Sequence, residues 1–115
     1  MTQLTLNLVQ GSVSCNFTLE AAKQLQQEIS ALMASLKAVA NHAASGSGKP
    51  VPQPAMEFHH TDQIFLEVFC NPNIYPSPFA AKVLLTVKDE RIRLTSEAEL
   101  TQLIEDLNLF IEQGN

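Results

Sequence analysis

The chain has 115 residues, a net charge of −5, and 45% hydrophobic but only 6% aromatic residues. This length and apolar content predict one ordered domain, residues 1–115, with its own core. The acidic balance argues against a general nucleic-acid or anionic-membrane binder, since both need a basic face to displace counterions. No run reaches the ~20 apolar residues of a membrane span. The opening MTQLTLNLVQ lacks the basic and long apolar parts of a signal peptide, so a cytoplasmic location is expected.

Leu4, Leu6 and Leu8 alternate with Thr5 and Asn7, the period of a half-buried strand. Gln10-Gly11-Ser12 is a turn, and Val13, Cys15 and Phe17 alternate along a second strand. Thr18 is the natural N-cap of a helix from about Leu19 to about Ala44, with Glu20 in its first turn. Ala22, Leu25, Ile29, Leu32, Leu36, Val39 and Ala43 form a heptad seam, and Met33, Ala34 and Ala40 add apolar surface on a second side.

Ser45 to Glu57, SGSGKPVPQPAME, reads as a flexible Gly/Ser/Pro linker. Its Ser-Gly-Ser-Gly-Lys run is not a phosphate loop. That pattern needs a glycine where Ala43 stands and a hydroxyl where Pro50 stands, between a strand and a helix. Ile64–Cys70 reads as a strand covered on both faces, followed by a proline-rich loop, Asn71–Ala80. Lys82–Val87 and Arg91–Thr95 read as a hairpin around Lys88-Asp89-Glu90. Ser96 and Glu99 suggest a capping box opening a last helix to about Gln113.

Leu4–Leu25 and Val83–Leu103 thus repeat a strand–turn–strand–helix pattern. The expected fold is α+β: a five-stranded antiparallel or mixed sheet with two helices in the order ββα-β-ββα. Two helices on one face leave the other to water or to a second copy, so a homodimer is expected.

Little in the sequence points to catalysis. Cys15 and Cys70 lie in apolar strands as buried reduced thiols, away from the helix N-termini and basic groups that activate cysteine. The acid pairs Asp89-Glu90, Glu97/Glu99 and Glu105-Asp106 fall on a turn or a helix surface as solvated charges. Glu57, His59, His60 and Asp62 have the donor chemistry of a metal site. Adjacent histidines in an extended segment point to opposite sides, however, so solvated loop histidines are expected and no metal. Neither a glycine-rich cofactor motif nor a CxxC pair is present, and no cofactor is expected.

The residues suited to a partner are elsewhere. Ile74, Tyr75 and Phe79 are held between Pro72, Pro76 and Pro78, which lowers the ordering cost of presenting them. Arg91 and Arg93 should project together from one strand, ready to pair with a partner's carboxylate. Met33 marks the apolar back of the first helix. The stretch Lys82–Gln113, KVLLTVKDERIRLTSEAELTQLIEDLNLFIEQ, resembles the tails of small acidic cyanobacterial proteins. Some of these are assembly factors for photosynthetic or carbon-fixing complexes, a carboxysome shell-protein chaperone being one such case. The resemblance implies a chaperone-like protein that engages a subunit of a larger assembly.

The function expected is therefore a non-enzymatic protein-binding domain, an adaptor or assembly chaperone that takes a peptide segment of its partner in a helix–sheet groove or on a strand edge. Rival expectations are a small-ligand or metal-binding domain, carried by Glu57–Asp62, and a small dimeric enzyme, carried by Cys15 or Cys70 beside a histidine.

Overall fold

A computed structural model describes residues 2–46, 48 and 51–114. The alternating opening segment forms β1 (Thr2–Asn7), which pairs antiparallel with β2 (Ser12–Phe17). Gly11 makes the turn possible with φ 101°, a conformation that side chains with a Cβ resist. Leu4, Leu6, Cys15 and Phe17 are buried along one face of this hairpin.

Helix α1 (Leu19–Ser45) starts where Thr18 Oγ1 accepts the Ala21 N–H at 3.1 Å. It stops at Gly46, in the left-handed conformation with φ 65°, whose N–H bonds the His42 carbonyl. The seam from Ala22 to Leu36 is buried. Val39 is only half-buried and Ala43 is exposed, so the last turns of α1 run past the core.

Four strands then form an antiparallel meander in chain order: β3 (Met56–Thr61), β4 (Phe65–Cys70), β5 (Lys82–Lys88) and β6 (Arg93–Glu99). The registers Met56↔Cys70, Phe58↔Val68, Val68↔Leu85 and Val83↔Ala98 stack the apolar positions on one inner face. These side chains, α1 and helix α2 (Leu100–Gln113) close one core cluster. Two short 3-10 turns, Pro72–Ile74 and Pro78–Ala80, join β4 to β5.

The α+β class and two helices agree with expectation, but the sheet does not. The described residues hold six strands in two sheets, one of two strands and one of four, in the order ββα-ββ-ββα. The added strand is β3, whose Met56, Phe58 and His60 alternate inward beneath a polar surface of Glu57, His59 and Thr61. The first hairpin does not extend the larger sheet. The Val9 N–H donates to the Glu97 carbonyl at 3.1 Å, and α2 packs across β1.

The capping box at Ser96 is also overturned. Ser96 and Glu99 belong to β6, and the helix begins at Leu100 with no side-chain cap. The ladder decides this. β6 pairs with all seven residues of β5, Ala98 is buried opposite Val83, and the Leu100 N–H extends the pattern by bonding the Ala81 carbonyl. Seven paired residues outweigh one local cap.

Of the segment read as a linker, Met56 and Glu57 belong to β3; Ser47, Lys49 and Pro50 lie outside the described residues.

Candidate functional site

The proline-rich loop between β4 and β5 is built from side-chain clamps. Asn71 Oδ1 accepts from the Asn73 N–H at 3.0 Å and caps the first 3-10 turn, with Pro72 buried at its start. Asn73 then ties the loop to the stretch before β3. Its Oδ1 accepts the Gln53 N–H at 2.8 Å, and its Nδ2 donates to the Gln53 carbonyl at 2.8 Å. This reciprocal pair satisfies main-chain groups that a loop would otherwise leave to water.

The clamped loop faces the overhanging end of α1. Between them lies a groove of about 530 Å³, walled by Val39 and Ala43 on the helix and by Ile74, Tyr75 and Pro76 on the loop. Ile74 is 66% exposed and Phe79 is 85% exposed. Tyr75 differs, being half-buried against the core. Burial, and then the neighbouring Cys70 thiol, hold its phenol above the ordinary value. Tyr75 is therefore a wall of the groove anchored in the fold, whereas Ile74 and Phe79 stand free.

The other expected partner-binding residues lie apart from this loop. Arg93 is on β6 opposite Lys88, at the far end of a seven-residue strand from Lys82, about 20 Å away at strand rise. Arg91 is not on the strand at all. It sits in the β5–β6 turn, where Asp89 Oδ1 accepts the Arg91 and Ile92 N–H groups and is thereby held below its ordinary pKa. The two arginines do not share one strand, and neither joins Tyr75 and Phe79. Met33 lies half-buried in a third place, a groove of about 460 Å³ between α1 and α2 with Ile29, Ile104 and Leu107.

His59 and His60 stand on β3 rather than in a loop. His59 is on the outer face, 2.7 Å from the Glu67 carboxylate across the ladder and stacked on Phe65. His60 points inward, edge-on to Phe17, with its Nε2 buried and without a hydrogen-bond partner among the described residues. Among the described residues no three His, Cys, Asp or Glu side chains gather as metal ligands. Both thiols are free and buried; burial pushes Cys15 up and Cys70 up to about 11. A nucleophilic cysteine needs the opposite shift.

The inward ring of His60 on β3 and the exposed ring of Phe79 both went unseen in the sequence as such. Met56 and Phe58 alternate with Glu57 and His59, but His60 breaks the apolar row, so β3 shows only in its pairing with β4. Nothing in the residue types alone separates the anchored Tyr75 from the free Phe79. No protein-family model, curated protein or solved structure matches the chain, and no helix among the described residues is long and apolar enough to cross a membrane.

Proposed function

We propose that this chain is a non-enzymatic protein-binding domain, acting as an adaptor or assembly chaperone. The observation that carries the reading is the clamped loop, which holds Ile74 and Phe79 out in solvent, with Ile74 on the wall of the groove against α1. Exposed large apolar side chains on a pre-ordered loop lose little entropy on binding, and they gain roughly 25 cal/mol for each Å² removed from water. The buried, up-shifted thiols favour binding over thiol chemistry. Ile74 and Phe79 supply contact area and Tyr75 the fixed wall; Arg91 and Arg93 stand too far off to share that contact.

The tagged chain is set against its native lysate beside an Ile74→Asp/Phe79→Asp variant. Tyr75 is left alone because its loss would perturb the core. One stoichiometric protein captured by the parent and lost with the variant, at unchanged melting temperature, supports the reading. Equal capture by both, or capture by neither, rejects this loop as the docking site.

A homodimer belongs to the same proposal. The outer face of the four-stranded sheet is left open, with Leu84 42% exposed and Phe65 and Phe69 half-buried around it.

A further inference from the structure

The free edge of β3 runs alongside α1. Two adjoining grooves lie there, of about 260 and 400 Å³, and both are lined by Glu28 of α1 and Glu57 of β3. Ala31, Leu32 and Met56 give the first an apolar floor, and Phe58 continues it into the second. Among the described residues, neither groove is lined by a lysine or an arginine.

The main chain of β3 supplies the second half of the site. Among the described residues β3 pairs only with β4. Asp62 N–H bonds the Ile64 carbonyl at 2.9 Å, which makes Thr61↔Phe65 a pair of the type that exchanges no hydrogen bonds with each other. Alternation along the ladder then gives His59↔Glu67 and Glu57↔Phe69 the same character. The N–H and C=O groups of Glu57 and His59 therefore point away from β4, toward the open edge and the groove. An extended chain laid there meets hydrogen-bonding groups on one side and a helix wall on the other, the arrangement of strand addition. The charge of the walls selects what such a chain carries.

We infer that the β3 edge and α1 form a docking groove for an extended, basic peptide segment, bound as an added strand with a lysine or arginine between the carboxylates of Glu28 and Glu57. This rests on the reading of the chain as a protein-binding domain but not on the loop at Ile74 and Phe79. Apolar or β-branched side chains alternate with the basic residue, since every second position of an added strand faces the floor of Ala31, Leu32 and Phe58.

The test is to pan a phage-displayed library of random decapeptides against the full chain and to map the best peptide by hydrogen exchange. Enriched peptides should carry Lys or Arg flanked by alternating apolar residues. Binding should slow exchange at the Glu57 and His59 amides. Glu28→Lys/Glu57→Lys, both at exposed positions, should weaken the peptide at least tenfold. His59→Pro should abolish binding, because it removes an edge N–H while leaving the β3–β4 ladder its own bonds. Ile74→Asp/Phe79→Asp should leave peptide affinity unchanged.

No enrichment, enrichment without a basic preference, protection elsewhere, or full binding by the charge-reversed variant overturns the inference. If the peptide fails while the lysate partner still depends on Ile74 and Phe79, this groove falls and the loop stands. If the peptide binds as described and the lysate partner ignores the loop, the reverse holds.

Discussion

The Asp106 carboxylate of α2 accepts both the backbone N–H of Asn7, at 2.8 Å, and its side-chain Nδ2–H, at 2.9 Å. Gln102 Nε2 adds a third bond at 2.9 Å, and Asp106 is only 8% exposed. This charge-assisted clamp joins the first hairpin to the last helix across 99 positions of chain. Asp106→Ala leaves the Asn7 donors and Gln102 without their acceptor, at a loss of about 2–3 kcal/mol. The melting temperature should fall by about 10 °C, with a smaller fall for Asp106→Asn, which keeps one acceptor oxygen. A double-mutant cycle with Asn7→Ala should show non-additivity; additive losses would mean the two residues act separately.

Cys70 is 1% exposed and its thiol is pushed from 9.0 to about 11 by burial. In the native state the thiolate is disfavoured, so between pH 9 and 11 the unfolded chain releases a proton that the folded chain keeps. Stability therefore falls as pH rises through that window, by up to about 2 kcal/mol from this group. Urea midpoints at pH 8 and pH 10.5 should differ more for the parent than for Cys70→Ala, which lacks the titrating group. Iodoacetamide at pH 8 should label neither cysteine until denaturant is added, and rapid native labelling would revive the thiol-enzyme alternative.

Thr18 and Ser96 look alike in sequence, each a hydroxyl followed shortly by a glutamate before an apolar helix. Only Thr18 caps. Thr18→Ala should lower stability by about 1 kcal/mol, while Ser96→Ala, inside β6, should change it by less than about 0.5 kcal/mol. Equal losses would move the start of α2 back to Ser96. Chemical denaturation of the two variants decides it.

That pair also marks where sequence reasoning worked. Helix α1, both outer hairpins and the apolar face of α2 were legible because their periods are local. β3 was not, since its inward positions end on His60 and its outward ones read as a polar linker; only pairing with Leu66 and Val68 shows it as a strand. Long-range pairing likewise turned Ser96–Glu99 into strand. At the candidate site, the exposed loop was visible through its prolines. The distance from Arg93 to that loop was not, because it depends on which end of β5 each element leaves. The edge groove at Glu28 and Glu57 joins residues 29 positions apart that only the fold brings together.

The homodimer proposal has a preferred geometry. Across the outer sheet face one row reads Glu57, Phe69, Leu84 and Glu97, and another reads Thr61, Phe65, Lys88 and Arg93. Between them His59, Glu67, Thr86 and Thr95 form the middle row. A two-fold axis along the strands would lay the acidic row on its own copy. An axis across the strands instead sets Glu97 against Arg93 of the second copy and Phe69 against its Phe65, with the middle row at the axis. Glu67 there is already paired to its own His59. Light scattering should give twice the chain mass, and Leu84→Asp, at an exposed position, should give a folded monomer. Arg93→Glu should weaken association about tenfold, and adding Glu97→Arg should restore it, because the swap rebuilds the same pair. Failure of the double swap to restore the dimer would reject this axis even if the mass is that of two chains. A monomer at high concentration would reject the dimer itself.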